Sequence, residues 1–294
     1  MIDPNNFYFY IIFLIQILLA SWYIPAKILN RMKTVMHEYP PEQYPKLYAG
    51  SIGAYEKMQK KYNRINSVIF TLGFSLLSAI MMWDYTTQGQ INVMIPWAYF
   101  MIQMVPLMWL EVKEFKYFKA MRNSNTNTKK SATIVPRKLF DFLPPKLLVF
   151  AIVMMLIAFS LVIKQYGFKG NAFENIIIIL ATNLFFAGII YWNIYGTKLD
   201  PYQTSEDRIK VIKVTVKSLV YVSIGVSIFL GAQMLIKLYD LDFLKTSVMS
   251  IYCQLILWAS VGNRLKQIKI EDLDFSVYKH NSDNSKINEK SVSL

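Results

Sequence analysis

Cysteine and histidine are scarce in this chain, which has one cysteine and two histidines in 294 residues. The lone Cys253 cannot form an internal disulfide, so cysteine usage gives no information about the redox compartment. His37 and His280 are too few for a zinc site, and Pro40 and Pro41 interrupt the helix that an H-E-x-x-H motif beginning at His37 would require. We therefore predict no metal site and no cofactor.

Recognisable catalytic motifs are also missing. The sequence has no Gly-Lys-Ser/Thr phosphate loop, no dinucleotide-binding glycine fingerprint and no Gly-x-Ser-x-Gly nucleophile elbow. Ionisable side chains are absent from the centres of the apolar stretches, which argues against a proton pump or a carboxylate-coupled antiporter. The nearest ones lie at helix ends, where they can reach the membrane interface: Asp84, Glu111, Lys164, Glu174, Lys217 and Lys237. We expect no catalytic residue and predict that the protein is not an enzyme.

Charge is sparse as well, since 17% of the residues are charged whereas 54% are hydrophobic, and the mean hydropathy is +0.29. Soluble domains seldom combine so little charge with so much apolar sequence, so a lipid bilayer is the natural solvent for this chain. A spanning helix needs roughly 20 mostly apolar residues. Suitable stretches are Phe7–Leu29, Ser67–Trp83, Ile91–Leu110, Leu147–Ile163, Glu174–Tyr195, Lys217–Leu238 and Thr246–Gly262. The sequence predicts an all-α integral membrane protein with about seven transmembrane helices.

The net charge of +13 is distributed unevenly between the two sides of these spans. All but four of the Lys and Arg residues follow the first, third, fifth or seventh span; the exceptions are Lys164, Lys169, Lys237 and Lys245. Because cytoplasmic loops are enriched in Lys and Arg, this asymmetry predicts an amino terminus outside and a carboxyl terminus inside. We expect the basic residues to meet anionic lipids on the cytoplasmic side, and we expect no nucleic acid partner.

The two halves of the chain resemble each other. TLGFS at 71–75 in the second span matches SIGVS at 223–227 in the sixth, and each segment is followed by a short loop and another span. This similarity suggests a 3+1+3 parallel repeat, an arrangement known in transporters. The predicted parts are a first half at 1–122, a cytoplasmic linker at 123–145, a connector helix at 146–165, a second half at 166–275 and a disordered tail at 276–294.

A basic segment precedes the second span. From Gly53 onward the apolar residues recur at helical spacing. The segment either lies at the membrane surface or extends the second helix into the cytoplasm. In both cases we expect its cations to form a collar at the lipid headgroups: Lys57, Lys60, Lys61 and Arg64.

Neutral polar residues remain inside the spans, and five of them are amides: Gln16, Gln103, Asn183, Gln233 and Gln254. An amide in hydrocarbon needs a hydrogen-bond partner, so these side chains either join neighbouring helices or line a polar crevice for a solute or a lipid headgroup. Pro96 and Pro106 either free carbonyls for a ligand or simply kink the third span. Small residues recurring at every fourth position predict helix-packing faces: Thr71, Ser75, Ala79, Ser223, Ser227 and Gly231.

The loop after the first span carries a resemblance to known families. YPPEQYPKLY at 39–48, followed by YEKMQKKYNRIN at 55–66, resembles an uncharacterised family of bacterial multi-pass membrane proteins, which implies a bacterial inner membrane. The same region is similar to the membrane part of the CAAX-type zinc metalloproteases, where a Pro-Glu pair and a Lys-x-Gln-x-x-Tyr run, here Lys57, Gln59 and Tyr62, follow the first span. The zinc motif of those proteases is missing, so the resemblance implies a membrane shell without peptidase activity.

Two functions fit these features best. The first is a non-enzymatic partner, scaffold or regulatory subunit of a membrane complex, which binds another protein or a second copy of itself. The alternative is a solute or lipid transporter with a neutral polar crevice between the two halves. A membrane-embedded lipid transferase fits least, because buried acid and base residues are lacking. An amide-lined cavity at mid-membrane would favour transport, whereas a solid core with an exposed small-residue groove would favour a partner.

Overall fold

A computed structural model describes residues 6–48, 52–87, 90–124, 138–196 and 200–279 of the chain. All the regular secondary structure in these ranges is helical. The seven long helices are α1 Phe7–Glu38, α2 Ile52–Thr87, α3 Met94–Ser124, α4 Pro145–Tyr166, α5 Gly170–Tyr195, α6 Ser205–Leu238 and α7 Asp242–Gln267. Each helix is long and apolar enough to cross a membrane, which confirms the predicted all-α architecture with seven spans.

The apolar surfaces of these helices are largely turned outward. Only 17% of the most apolar window of α4 and 11% of that of α5 are buried within the protein. Large side chains such as Phe150 on α4 and Phe185 on α5 are at least half exposed. Soluble proteins seldom expose such continuous apolar surfaces. The chain is therefore a multi-pass membrane protein, whose apolar faces are suited to contact with lipid.

Several helices extend well beyond the predicted spans. The helix α2 begins at Ile52, so the basic segment after Gly53 is continuous with the second span as one helix. The helix α6 begins at Ser205, and the Thr204 side chain caps it by accepting a hydrogen bond from the Asp207 backbone N–H at 3.1 Å. Such a cap satisfies a backbone donor that has no partner within the helix.

Contacts between helices divide them into two sets, which we name the four-helix group (α1, α2, α3 and α7) and the three-helix group (α4, α5 and α6). In the four-helix group, α1 packs against α2, α3 and α7 through apolar side chains that include Phe13, Ile17, Ile69, Tyr99 and Leu257. In the three-helix group, α6 packs against α4 and α5 through Ala158, Val162, Ile179, Ile194 and Val216.

The two groups meet where α6 packs against α7. The rings of Phe229 and Tyr252 stack with centroids 4.2 Å apart, and the Asn263 amide donates a 2.8 Å hydrogen bond to Ser218 Oγ. Because α7 contacts α1 and α3 as well as α6, it connects the two groups.

The loops that are rich in Lys and Arg come together at one end of the bundle, which we call the basic end. Tyr39, which follows α1, stacks on Phe275, which follows α7, with ring centroids 3.9 Å apart. The Tyr278 hydroxyl donates to Asp200, which lies between α5 and α6. Burial first, and then the charges of Asp200 and Asp207, raise the pKa of the Tyr278 phenol above its ordinary value. Three separate loops are thereby joined on one face.

The predicted linker and the predicted tail each contain a described helical turn. Within the linker, residues 139–142 form the one-turn helix Leu139–Phe142, and residues 125–137 lie outside the described part of the chain. Within the segment predicted as a disordered tail, Ser276–Tyr278 forms a 3-10 turn in which Tyr278 is buried. Its burial beside Asp200 accounts for this order, and residues 280–294 lie outside the described part. The 3+1+3 repeat and the orientation in the membrane remain predictions.

Two helices of the four-helix group contain a wide π-helical turn. In α1 the turn is Leu19–Tyr23, and in α7 it is Trp258–Gly262. A π turn inserts one residue into an α-helix and interrupts the regular hydrogen-bond ladder. The turn in α1 contains Ser21, a side chain of the polar network described next.

Candidate functional site

A network of buried neutral side chains occupies the centre of the four-helix group. Its middle is Gln16 of α1, which is 0% exposed. The Gln16 amide nitrogen donates to the Pro96 carbonyl and to Gln103 Oε1, both at 3.1 Å, while Gln16 Oε1 accepts a 2.6 Å bond from Ser250 Oγ. One side chain of α1 is thus bonded to both α3 and α7.

Gln103 extends the network toward the π turn of α1. Its amide nitrogen donates to Ser21 Oγ at 2.8 Å, and Ser21 Oγ lies 3.2 Å from the Tyr99 hydroxyl. That hydroxyl donates to the Ile69 carbonyl of α2 at 2.9 Å. A Cβ atom at Gly73 would overlap the Tyr99 hydroxyl, so only glycine at this position lets the ring lie so close to α2.

Gln254 adds a second bond between α7 and α1. Its amide nitrogen donates to the Ile12 carbonyl at 2.9 Å and lies 3.5 Å from Ser250 Oγ. We name the whole set the glutamine network: Gln16, Ser21, Tyr99, Gln103, Ser250 and Gln254. Its members are neutral at physiological pH and bond to one another or to helix carbonyls. Such bonds can hold helices together in an apolar surrounding, but they supply neither an acid nor a base.

The prediction that Pro96 frees a carbonyl needs correction. Pro96 lies in the first turn of α3, where a backbone N–H would have no partner within the helix, so the proline removes no bond. Its own carbonyl accepts from Gln16. Pro106 lies inside α3 as predicted.

Asn183 belongs to a separate cluster in the three-helix group. Its Oδ1 accepts a 2.5 Å bond from Ser223 Oγ, and its Nδ2 donates to the Ile179 carbonyl and lies 3.5 Å from Ser227 Oγ. Gln233, the fifth predicted amide, joins neither set, because its buried Nε2 has no hydrogen-bond partner in the described residues.

Asn183 and Ser223 also line a groove between α4, α5 and α6, with a cavity volume of 350 Å³. We call it the α4–α6 groove. Its other walls are apolar and include Ala151, Ala187 and Ile194, and Leu143 from the segment before α4 lines its end. The groove therefore has a small polar patch in an otherwise apolar lining.

The two predicted small-residue faces have different surroundings. On α6, Ser227 is 1% exposed and Gly231 packs against α4, where an added Cβ would lie 3.3 Å from Leu161. On α2, in contrast, Thr71, Ser75 and Ala79 are all exposed. The hydroxyls of Thr71 and Ser75 donate at 3.1 Å to carbonyls of their own helix. We call the surface formed by these three residues the outer face of α2. Its two hydroxyls form no hydrogen bond to another helix of the described chain.

One of the four basic residues predicted at the membrane surface, Lys60, lines a cavity. This cavity, the α1–α2 cleft, has a volume of 610 Å³ and lies between α1 and α2 at the basic end, with Lys33 and His37 on its α1 side. Lys61 instead lies over the Trp109 ring of α3, with its ammonium 5.4 Å from the ring centroid. Lys57 and Arg64 are exposed on α2.

One buried carboxylate was assigned wrongly from the sequence. Asp84 was expected to reach the membrane interface from the end of α2, but it is 0% exposed. Its oxygens accept hydrogen bonds from Asn6 at 3.0 Å and from Tyr10 at 2.5 Å, which explains how its burial is tolerated. Asn6, which directly precedes α1, and Tyr10 are four residues apart and so lie on the same side of the start of this helix. This spacing is the sequence feature that could have indicated the contact.

Within the described ranges, no three His, Cys, Asp or Glu side chains lie together as a metal-binding group would require. A scan against protein-family models finds no matching family, and searches of curated proteins and of solved structures find no similar chain.

Proposed function

We propose that this protein is a non-enzymatic subunit of a membrane complex and that it binds a transmembrane helix of its partner through the outer face of α2. The observation that carries this proposal is the exposure of Thr71, Ser75 and Ala79 on one face of a spanning helix. Small residues at every fourth position allow a second helix to approach closely, which increases van der Waals contact in a bilayer.

The corresponding face of α6 supports this proposal. There Ser223, Ser227 and Gly231 are packed against α4 and α5, with a direct hydrogen bond from Ser223 to Asn183. The same kind of surface on α2 has hydroxyls whose bonds to described residues all lie within α2. We infer that the face of α2 serves between chains the purpose that the face of α6 serves within the chain.

The glutamine network supports a structural role as well. Its amides use their donors and acceptors on neighbouring helices, so Gln16 and Gln103 are engaged in holding α1, α3 and α7 together. This is one of the two alternatives left open by the sequence, and it favours a firm scaffold over a polar path through the four-helix group.

Photo-crosslinking in living cells tests the proposal. A photoreactive amino acid at Ser75 should give a discrete protein adduct, whereas the same amino acid at Val149, which is 59% exposed on α4, should give none. An adduct of twice the chain mass would identify a second copy, and any other discrete mass a different subunit. Equal crosslinking at the two positions, or none at Ser75, would contradict the proposal.

We also propose the orientation and the location. The convergence of the basic loops at one end of the bundle supports a basic end in the cytoplasm, with the amino terminus outside, in a bacterial inner membrane. Reporter domains fused to the two termini test this orientation, because only a cytoplasmic reporter should be active at the carboxyl terminus and only an exported one at the amino terminus.

A second candidate function, lipid or solute transport, is favoured by one observation. The α4–α6 groove combines apolar walls with the Asn183 and Ser223 polar patch. If it carries a lipid, Ala187→Trp should abolish lipid transfer between the leaflets of proteoliposomes. Gly188→Trp, on the same helix but with open space around it, should leave transfer unchanged. Transfer equal to that of protein-free vesicles would eliminate this candidate.

A further inference from the structure

The α1–α2 cleft has the composition of a site for a negatively charged group. Lys33 of α1 and Lys60 of α2 line it from opposite sides. Neither lysine forms an ion pair with a carboxylate in the described part of the chain. His37 adds a further nitrogen, and Glu56 is the one acidic residue among the described residues that line the cleft. Two cations on separate helices that form no ion pair in the described part of the chain would attract and hold an anion between them.

A buried amide of the cleft has a poor partner. Gln59 is 9% exposed, and its amide nitrogen donates to the Met36 sulfur at 3.0 Å. A thioether sulfur is a weak acceptor, whereas a charged phosphate oxygen is a strong one. The Gln59 amide would therefore form a stronger hydrogen bond to an anion in the cleft than it forms to the Met36 sulfur.

The depth of the cleft matches the lipid headgroups. Tyr10 and Asp84 are bonded to each other, so the beginning of α1 and the end of α2 lie at the same level. At 1.5 Å per residue, Lys33 lies ~35 Å along α1 from Tyr10, and Lys60 lies ~36 Å along α2 from Asp84. The hydrocarbon layer is about 30 Å thick and the headgroups extend it to about 40–45 Å. With one boundary of the hydrocarbon at the level of Tyr10 and Asp84, both lysines lie just beyond the opposite boundary.

The residues that line the cleft differ with depth in the membrane. Leu29 and Asn63 line it at the level of the hydrocarbon boundary, whereas Glu56 is about one turn farther into the headgroup layer than Lys60. An acyl chain can therefore leave past Leu29 while its phosphate stays between the lysines. A zwitterionic lipid would bring its own cation close to these lysines, so a headgroup with net negative charge fits better.

We propose that the α1–α2 cleft is a binding site for the phosphate group of an anionic phospholipid, held by Lys33, Lys60 and the Gln59 amide. The site requires only that the basic end lies among lipid headgroups, and it is independent of the association through α2.

Native mass spectrometry of the full chain in neutral detergent, titrated with phosphatidylglycerol, measures this binding. Replacing both lysines (Lys33→Gln with Lys60→Gln) should weaken binding about tenfold or more, since each lysine near an anionic lipid contributes about 1 kcal/mol. A matched control, Lys57→Gln with Arg64→Gln, removes two charges from the same region outside the cleft and should change binding less than about threefold. Gln59→Met should weaken it about threefold while preserving the volume of the side chain.

Two comparison ligands test whether the cleft prefers an anionic phospholipid over a zwitterionic lipid and over free phosphate. Phosphatidylcholine should bind the native chain at least about tenfold more weakly than phosphatidylglycerol. Inorganic phosphate should not displace phosphatidylglycerol at equal concentration, and its displacement of the lipid would show that free phosphate is the occupant. If the cleft variant and the control variant weakened phosphatidylglycerol binding equally, the lipid would be held by the overall positive charge of the region and the proposal would be overturned. The crosslink at Ser75 should persist in the cleft variants, so failure of one proposal leaves the other intact.

Discussion

The four-helix group and the three-helix group hold their helices together by different kinds of contact. In the four-helix group, Gln16 and its neighbours bond three helices together at the centre, and the tyrosine ring of Tyr99 fits against Gly73. In the three-helix group, the core is mostly apolar, one cluster around Asn183 supplies the polar contact, and a groove remains open at the side. The comparison shows that hydrogen bonds between helices fix the arrangement of the four-helix group, whereas the three-helix group keeps an open groove beside a mostly apolar core.

The largest expected effect is at Gly73. We expect Gly73→Leu to destabilise the protein by about 3 kcal/mol, because any side chain there displaces Tyr99 from its bonds to α1 and α2. The same replacement at Gly188 on α5, which has nothing within 4 Å of an added Cβ, should change stability by no more than about 0.5 kcal/mol. Unfolding by SDS in mixed micelles, followed by tryptophan fluorescence, measures both. Similar losses at the two glycines would remove the contrast between the groups.

A smaller loss is expected at the centre of the glutamine network. Gln16→Leu should cost about 2 kcal/mol in the same unfolding measurement, because it removes bonds to α3 and α7 and leaves Ser250 without its acceptor. Gln233→Leu offers a control with the opposite expectation. It removes a buried amide nitrogen that has no partner in the described residues, so it should be neutral or stabilising. A neutral Gln16→Leu would mean that the network does not stabilise the fold.

The polar cluster of the three-helix group should matter less. Asn183→Leu is expected to cost about 1 kcal/mol, since one strong bond to another helix is lost. Among the described residues, Asn193 on the same helix donates to the Ile189 carbonyl of its own helix and to no other helix, so Asn193→Leu should cost less than about 0.5 kcal/mol. If Asn183→Leu proved as costly as Gln16→Leu, the two groups would be equally dependent on hydrogen bonds.

The smallest effect is expected inside the α4–α6 groove. Ala187→Leu adds volume where space exists and should change the free energy of unfolding by no more than about 0.5 kcal/mol. Ala158→Leu adds the same volume at a site that is 1% exposed and packed against Gly231, where about 1–3 kcal/mol should be lost. A large loss at Ala187 would indicate that the groove is closed in the membrane.

The spans were predictable from the sequence because hydropathy over some 20 residues is a local property. The amides were predictable too, since Gln16, Gln103 and Gln254 are conspicuous in apolar surroundings. Their partners were not, because a bond such as that between Gln16 and Ser250 joins positions far apart in the chain. Which residues face each other then depends on the rotation and depth of whole helices, and no local pattern reports these.

Two further features were missed for a related reason. The burial of Asp84 depends on donors from Asn6 and Tyr10 of another helix, so its position near a helix end alone suggested exposure. The π turns at Leu19–Tyr23 and Trp258–Gly262 have no distinctive composition, because the shift in backbone bonding follows from packing between helices.

The π turn of α1 has a geometric effect on everything that follows it in this helix. One residue corresponds to about 100° of rotation in an α-helix, so deleting a single residue from Leu19–Tyr23 would turn the segment from Ile24 to Glu38 by about this angle. Lys33 and His37 would then point away from α2. The extra residue beside Ser21 therefore sets the rotation of the half of α1 at the basic end about the helix axis, and so determines which side chains face the α1–α2 cleft.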